Sequence, residues 1–242
     1  GLFGLYFLYQ LLRDYFSEKI SVLTSFTLFA ATNLFFYIAV EPINSHAASF
    51  FVSSIFLYYF FKHEKDKYYY LTLGLLGGVA GLVRTQDALI LIVPAIRLLL
   101  NRKREFNKLI SYFSQLTVGA FLSFLPQIYF LKKIFGTFWY SPYIEEGFNF
   151  THPEIFHVLF NNQNGLFTLT PIIGLAFIGL FFTTKKLKDV YGLAIAYFLI
   201  QLYLVSSWSA FYQGGSFSIR MMVTTYPLLS FGLAALIEKI NK

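Results

Sequence analysis

Cysteine is absent from the 242 residues, and charge is scarce: Asp, Glu, Lys and Arg together make up 13% of the chain. The first absence excludes a disulfide scaffold and a thiolate metal site. The second excludes an ordinary water-soluble domain, in which roughly a quarter of the residues are charged. With 57% hydrophobic residues, 31 Phe and 18 Tyr, too little polar surface exists to coat a soluble globule. The mean hydropathy of +0.59 agrees. Cations outnumber acids, giving a net charge of +7. No basic face or single-strand-binding motif accompanies that excess, so nucleic acid is not an expected partner. The membrane lipid bilayer is, because cytoplasmic Lys and Arg orient multi-spanning proteins.

Apolar segments at 20–40, 46–61, 68–84, 86–100, 109–131, 165–183, 190–206 and 219–237 are each bounded by charge or turn residues. Their runs are continuous and lack the alternation of a barrel, so they are expected to be transmembrane helices. The run Gly1–Leu12 rises only ~18 Å as a helix, against a hydrocarbon core of ~30 Å. It is read as the remainder of a truncated first span in an N-terminally truncated fragment. The expected fold is an all-α, polytopic transmembrane helical bundle of about nine helices, forming a single transmembrane domain over 1–242. Alternating the loops places fifteen of the 19 cations on one face, leaving Arg84, Lys132, Lys133 and Arg220 on the other. That asymmetry assigns the cation-rich face to the cytoplasm. The long outer connection, about 132–164, carries Trp139, Tyr140, Tyr143, Glu145, Glu146, His152 and His157. It is expected to be partly helical and to lie at the interface.

The outer face carries four unusual stretches. Glu41-Pro-Ile-Asn-Ser-His46 reads either as a turn with a capping residue or as the polar wall of a cavity opening outward. Gly74, Gly78 and Gly81 form a bare stripe suited to close helix packing, and Arg84 and Asp87 follow. These two form either a local ion pair at the membrane boundary or part of an anion site, since guanidinium offers a planar fork for phosphate oxygens. Asn161-Asn-Gln-Asn-Gly165 is a turn before a helix start, whose first N–H groups could receive an anion. The last stretch, Ser207 to Arg220, combines Trp208, Tyr212, Gln213, Gly214 and Gly215 with a second outer cation, Arg220. An aromatic belt accounts for Trp208 and Tyr212, but not for the Gly-Gly pair and the Arg together.

In order, these motifs resemble bacterial polytopic glycosyltransferases of the GT-C superfamily, the group that includes protein O-mannosyltransferases and the aminoarabinose transferase acting on lipid A. The resemblance rests on Pro42-Ile-Asn-Ser45-His46, Gly81-Leu-Val-Arg84, Leu159-Phe160 with Gly165-Leu-Phe167 and Pro171, and Tyr212-Gln-Gly-Gly-Ser-Phe-Ser-Ile-Arg220. It implies transfer of a sugar from a polyprenyl-phosphate-linked donor to an acceptor on the extracytoplasmic face of a bacterial plasma membrane. On that reading Arg84, Arg220 and His46 bind the donor phosphate. Trp208, Tyr212, Gln213, Gly214, Gly215 and Tyr140 contact substrate. The general base is expected among Asp87, Glu41 and Glu145, with Glu146 nearby, although in GT-C enzymes the essential acid usually lies in the first outer loop, which this chain lacks on the truncated reading. The pocket is expected near His46, Arg84, Gly165 and Arg220, roofed by 132–164.

No cofactor is expected. The His residues show no ligand spacing, so a divalent metal is not supported, and no nucleotide-binding loop is present. The principal alternative is a transporter or a flippase for lipid-linked sugars, which would also show many spans and intramembrane Arg. Against it, the outer acids sit in turns and loops instead of mid-helix, and no inverted repeat is visible. A non-catalytic scaffold is the third reading.

Overall fold

The computed structural model describes residues 1–100, 105–140, 146–182 and 187–241. Among these the architecture is all-α. The helices are α1 (Leu2–Leu12), α2 (Glu18–Ala30), α3 (Asn33–Phe35), α4 (His46–Lys62), α5 (Tyr69–Val83), α6 (Ile92–Leu100) and α7 (Phe106–Phe135), followed by α8 (Ile155–Phe160), α9 (Leu166–Leu169), α10 (Pro171–Gly179), α11 (Lys188–Ser207) and α12 (Tyr226–Ile240). Phe36–Val40 continues α3 as a wider π-type turn, and 3-10 turns cover Thr85–Leu91 and Arg220–Thr225.

The expected apolar segments are helical, but the count of nine uninterrupted spans does not carry over. Among the described residues three helices are long and apolar enough to cross a membrane: Phe106–Phe135, Lys188–Ser207 and Arg220–Ile240. A fourth arises if Glu18–Ala30 and Asn33–Val40, bent by 68°, form one span. The bend has a local cause. Thr32 is extended, its hydroxyl accepts the Leu34 amide at 3.2 Å and donates to the Leu28 carbonyl at 2.6 Å. It therefore ends one helix and caps the next. The segment expected at 165–183 is also broken, with Thr170 non-helical and Pro171 opening α10.

The chain divides into two compact units, Gly1–Tyr58 with Gly147–Lys242, and Tyr59–Glu146. In the first, α12 is the buried centre: Tyr226 through Ala235 are all inaccessible. It packs on α2, α10 and α11. The approach to α10 is closest at Gly179 and Gly232, where a Cβ on either glycine would collide with the backbone of the other helix. Tyr15 packs edge-on against Phe231 at 5.3 Å, and Phe177 against Phe198 at 4.9 Å.

In the second unit the glycine stripe of α5 does pack a helix. A Cβ on Gly78 would lie 2.6 Å from Ser123 Cβ and 2.7 Å from the Ala120 carbonyl oxygen of α7. Gly74 meets Leu116 and Gly119 of α7 equally closely, and Ser123 donates to the Leu75 carbonyl at 2.9 Å. Small residues thus bring two helical backbones together. Only Leu116 and Gly119 of the thirty α7 residues are buried. Its exposed Phe121, Leu125, Phe130 and Ile134 give an apolar face suited to lipid.

Candidate functional site

In the first unit one buried tyrosine touches the Glu41–His46 turn at His46 and the Ser207–Arg220 stretch at Phe217. Tyr37 stands on the π-type turn after α3, is fully buried, and bonds both main-chain groups of a single residue, Phe217. Its hydroxyl accepts the Phe217 amide at 3.1 Å and donates to the Phe217 carbonyl at 3.2 Å. Asn33, one turn earlier, donates to the same carbonyl at 3.5 Å. The Tyr226 hydroxyl donates to Asn33 Oδ1 at 2.8 Å. Asn33 and Tyr37 lie four residues apart, which places both on one helical face.

His46 opens α4, and its ring lies 4.6 Å from that of Tyr37. It is 3% exposed. The imidazole is therefore packed into the cluster instead of lining an open wall. Glu41, by contrast, is exposed and accepts from Asn44 Nδ2 at 2.7 Å.

The loop between α11 and the last 3-10 turn is held from several sides. Asn164 donates from Nδ2 to the carbonyls of Tyr212 and, at 3.3 Å, of Gly214. Gln213 Oε1 accepts the Met221 amide at 3.3 Å. Gln213 and Ser218 occupy the left-handed region at φ +56° and +58°. Non-glycine residues pay for that conformation, and such positions cluster at functional sites. Gly214 has φ +61°, and the space around Gly214 and Gly215 is open. Among the described residues, the buried donors Gln213 Nε2 and Arg220 Nε have no hydrogen-bond partner.

Tyr212 is 58% exposed at the loop tip, whereas Trp208 is half-buried and forms an isolated antiparallel bridge with Phe148. Residues 147–154 are laced to the end of α11: Asn149 donates to the Ser207 carbonyl at 2.6 Å, Glu154 to Ser206 at 2.8 Å, and Ser209 to Gly147 at 2.9 Å. Tyr203 Oη donates to the Phe150 carbonyl at 2.8 Å. Part of the long outer connection is therefore ordered, with α8 as its helical piece. Gly165 is buried, and the helix expected after it is only the four residues of α9. Four residues carry little dipole, which removes the anion-binding argument made for that turn.

The remaining residues belong to the second unit. Arg84 ends α5 in extended conformation, and its carbonyl accepts the Asp87 amide at 2.8 Å. Asp87 is 2% exposed, on the Thr85–Leu91 turn. Tyr140 stacks on Phe135 at 4.0 Å and 6°. Glu146 has one buried oxygen without a partner among the described residues, and Glu145 lies outside them. No group of three His, Asp or Glu side chains able to hold a metal occurs among the described residues.

Asn33, Tyr37, Asn164 and Tyr226 were not among the residues the sequence singled out as a site. The available signal was Asn33 and Tyr37 at helical spacing within an apolar run, just before the Glu41–His46 turn.

An all-helical chain with apolar outer faces and polar side chains gathered at loop ends is a membrane protein with a polar site. Residues 1–130, more than half of the chain, match the dolichyl-phosphate-mannose-protein mannosyltransferase family model. The chain belongs to that family, and is a membrane glycosyltransferase of the GT-C superfamily. Glu41, His46, Arg84 and Asp87 fall within the match, and the loop from Trp208 to Arg220 falls beyond it. No curated protein and no solved structure matches the chain.

Proposed function

We propose that the protein transfers a sugar from a polyprenyl-phosphate-linked donor to an acceptor on the extracytoplasmic face of a bacterial plasma membrane. What supports this reading is that one buried side chain, Tyr37, touches both His46 of the Glu41–His46 turn and the main chain of the loop that leads to Arg220, in a chain of this family. A lipid-linked donor leaves a phosphate monoester behind, so a cation is needed where negative charge grows as the bond breaks. Arg220 supplies it. A guanidinium matches phosphate geometry.

The step balances without a cofactor. An acceptor hydroxyl oxygen forms the new bond to the anomeric carbon of the donor sugar. The bond from that carbon to the phosphate oxygen breaks, its electron pair leaving on the polyprenyl phosphate. The hydroxyl proton passes to a carboxylate. We assign that role to Glu41, which belongs to the same compact unit as Tyr37 and Arg220. The exposed loop tip, with Tyr212, Gly214 and Gly215, offers an aromatic face and open backbone for the sugar. Trp208 stands at the base of that loop. Arg84 and Asp87 take no part in this step as written.

Sealed membrane vesicles containing the protein test the reading. Labelled polyprenyl-phosphate sugar, incorporated into right-side-out vesicles with a membrane-impermeant acceptor outside, is expected to give labelled product. Transfer only in inverted vesicles would overturn the assigned face. Donor that crosses the bilayer uncleaved would replace transfer with flipping.

A further inference from the structure

Tyr37 makes none of the bonds that the transfer step uses, yet it is the side chain on which the site's loop rests. The loop from Gln213 to Arg220 contains three positions at positive φ, Gln213, Gly214 and Ser218, two of them non-glycine. Such a backbone persists only when its surroundings over-determine it. Within the loop, Ser216 Oγ and the Arg220 amide both donate to the Ser218 carbonyl region, at 3.2 and 2.9 Å to its oxygen. Outside it, the restraints are Asn164 on Tyr212 and Gly214, Phe36 against the Phe217 ring at 5.5 Å, and Tyr37 on the Phe217 peptide. Of these, Tyr37 alone satisfies both the N–H and the C=O of one residue. Tyr37 is itself held in place by His46 on one side and braced through the shared carbonyl by Asn33, which Tyr226 orients.

We propose that Tyr37 is a positioning residue: its hydroxyl clamps the Phe217 peptide, and that clamp fixes the three-residue reach from Phe217 to Arg220, so that the guanidinium is presented to the donor phosphate without reorganisation. The kinetic part of this inference rests on the transfer reading above; the clamp itself does not. The chemistry is one of preorganisation. A cation held in place before the leaving group develops charge contributes more than one that must be recruited during the reaction.

Tyr37→Phe tests it, because the substitution deletes the hydroxyl and keeps the ring against His46. Hydrogen exchange on the purified full chain in detergent reads the clamp directly. The peptide covering 213–220 is expected to exchange about tenfold faster in Tyr37→Phe, as befits the loss of one hydrogen-bonding group. Unchanged exchange overturns the clamp. Should Tyr37→Phe fail to accumulate in the membrane, Asn33→Ser removes the neighbouring bond to the same carbonyl and is read in the same way.

The kinetic arm uses a double-mutant cycle. Tyr37→Phe is expected to lower kcat/KM for the lipid-linked donor about tenfold in the native background and to cost nothing further in Arg220→Ala. A merely structural tyrosine would give additive losses, and additivity overturns the route through Arg220. A native protein with no transfer at all overturns the proposed reaction and the kinetic role together, while the exchange result still decides the clamp.

Discussion

Asn164 holds Gly214 from fifty residues away, donating from its side-chain amide to the Gly214 carbonyl at 3.3 Å and to the Tyr212 carbonyl beside it. The residue is 8% exposed. Two carbonyl oxygens on one NH₂ group demand a donor at that place. Asn164→Ala loses the bonds and is expected to cost ~1 kcal/mol. Asn164→Asp, although isosteric, turns an anion toward two carbonyls and is expected to cost clearly more than Ala. Thermal unfolding in detergent, with both variants beside the native chain, checks the order.

Gln213 is held at φ +56° while its Oε1 accepts the Met221 amide. Gln213→Gly removes the backbone penalty and the side-chain bond together. Its stability is expected to stay within ~1 kcal/mol of native, because the two effects oppose each other. Gln213→Val keeps the penalty, adds a β-branch and loses the bond, and is expected to unfold ~1–3 kcal/mol more easily. Donor turnover should fall in both, since the buried Nε2 donor is gone from each.

Helix packing gives a prediction independent of function. A Cβ on Gly78 would lie 2.6 Å from Ser123 Cβ. Gly78→Leu is therefore expected to destabilise the second unit by several times the ~1 kcal/mol of a single overpacked methylene. Gly192→Ala on α11 is the control: its new methyl meets nothing within 4 Å, and no loss of stability is expected. Unfolding midpoints of the two variants, measured side by side, test the contrast.

Glu41 and Arg220 are expected to fail in different ways. Glu41→Gln removes a proton acceptor and should lower kcat by about 10²–10⁴ with donor binding retained. Arg220→Ala should weaken product polyprenyl-phosphate binding as well as turnover, with a loss of about 10²–10³ in rate. Separate measurement of kcat and of polyprenyl-phosphate inhibition distinguishes them.

Much of this organisation was legible in the residues. Composition indicated a membrane chain, and the continuous apolar runs without period-two alternation indicated helices, since helices and closed barrels are the two arrangements that satisfy backbone polar groups in lipid. The spacing of Gly74 and Gly78 foretold a close helix contact, though not that Gly119 and Ser123 of α7 would form its other side. What composition could not show was how spans break. Thr32 and Thr170 are ordinary residues in apolar runs; the first breaks its span by capping α3 with its hydroxyl, the second by leaving the helical conformation just before Pro171. The site divides along the same line. Arg220, Glu41 and His46 stood out as polar residues at loop ends, and all three fall in the first unit. Tyr37 and Asn33 did not, since in a chain with 18 Tyr a further aromatic in an apolar run carries no signal until Phe217, 180 residues later, is folded against it.

The most direct test is the stoichiometry of the reaction. Membranes containing the native chain are supplied with labelled polyprenyl-phosphate sugar, and polyprenyl phosphate released is counted against sugar transferred. One polyprenyl phosphate is expected for each sugar transferred, with both falling together by at least tenfold in Arg220→Ala. Native membranes that bind the donor and release no polyprenyl phosphate, or an Arg220→Ala chain that turns over at the native rate, would contradict it.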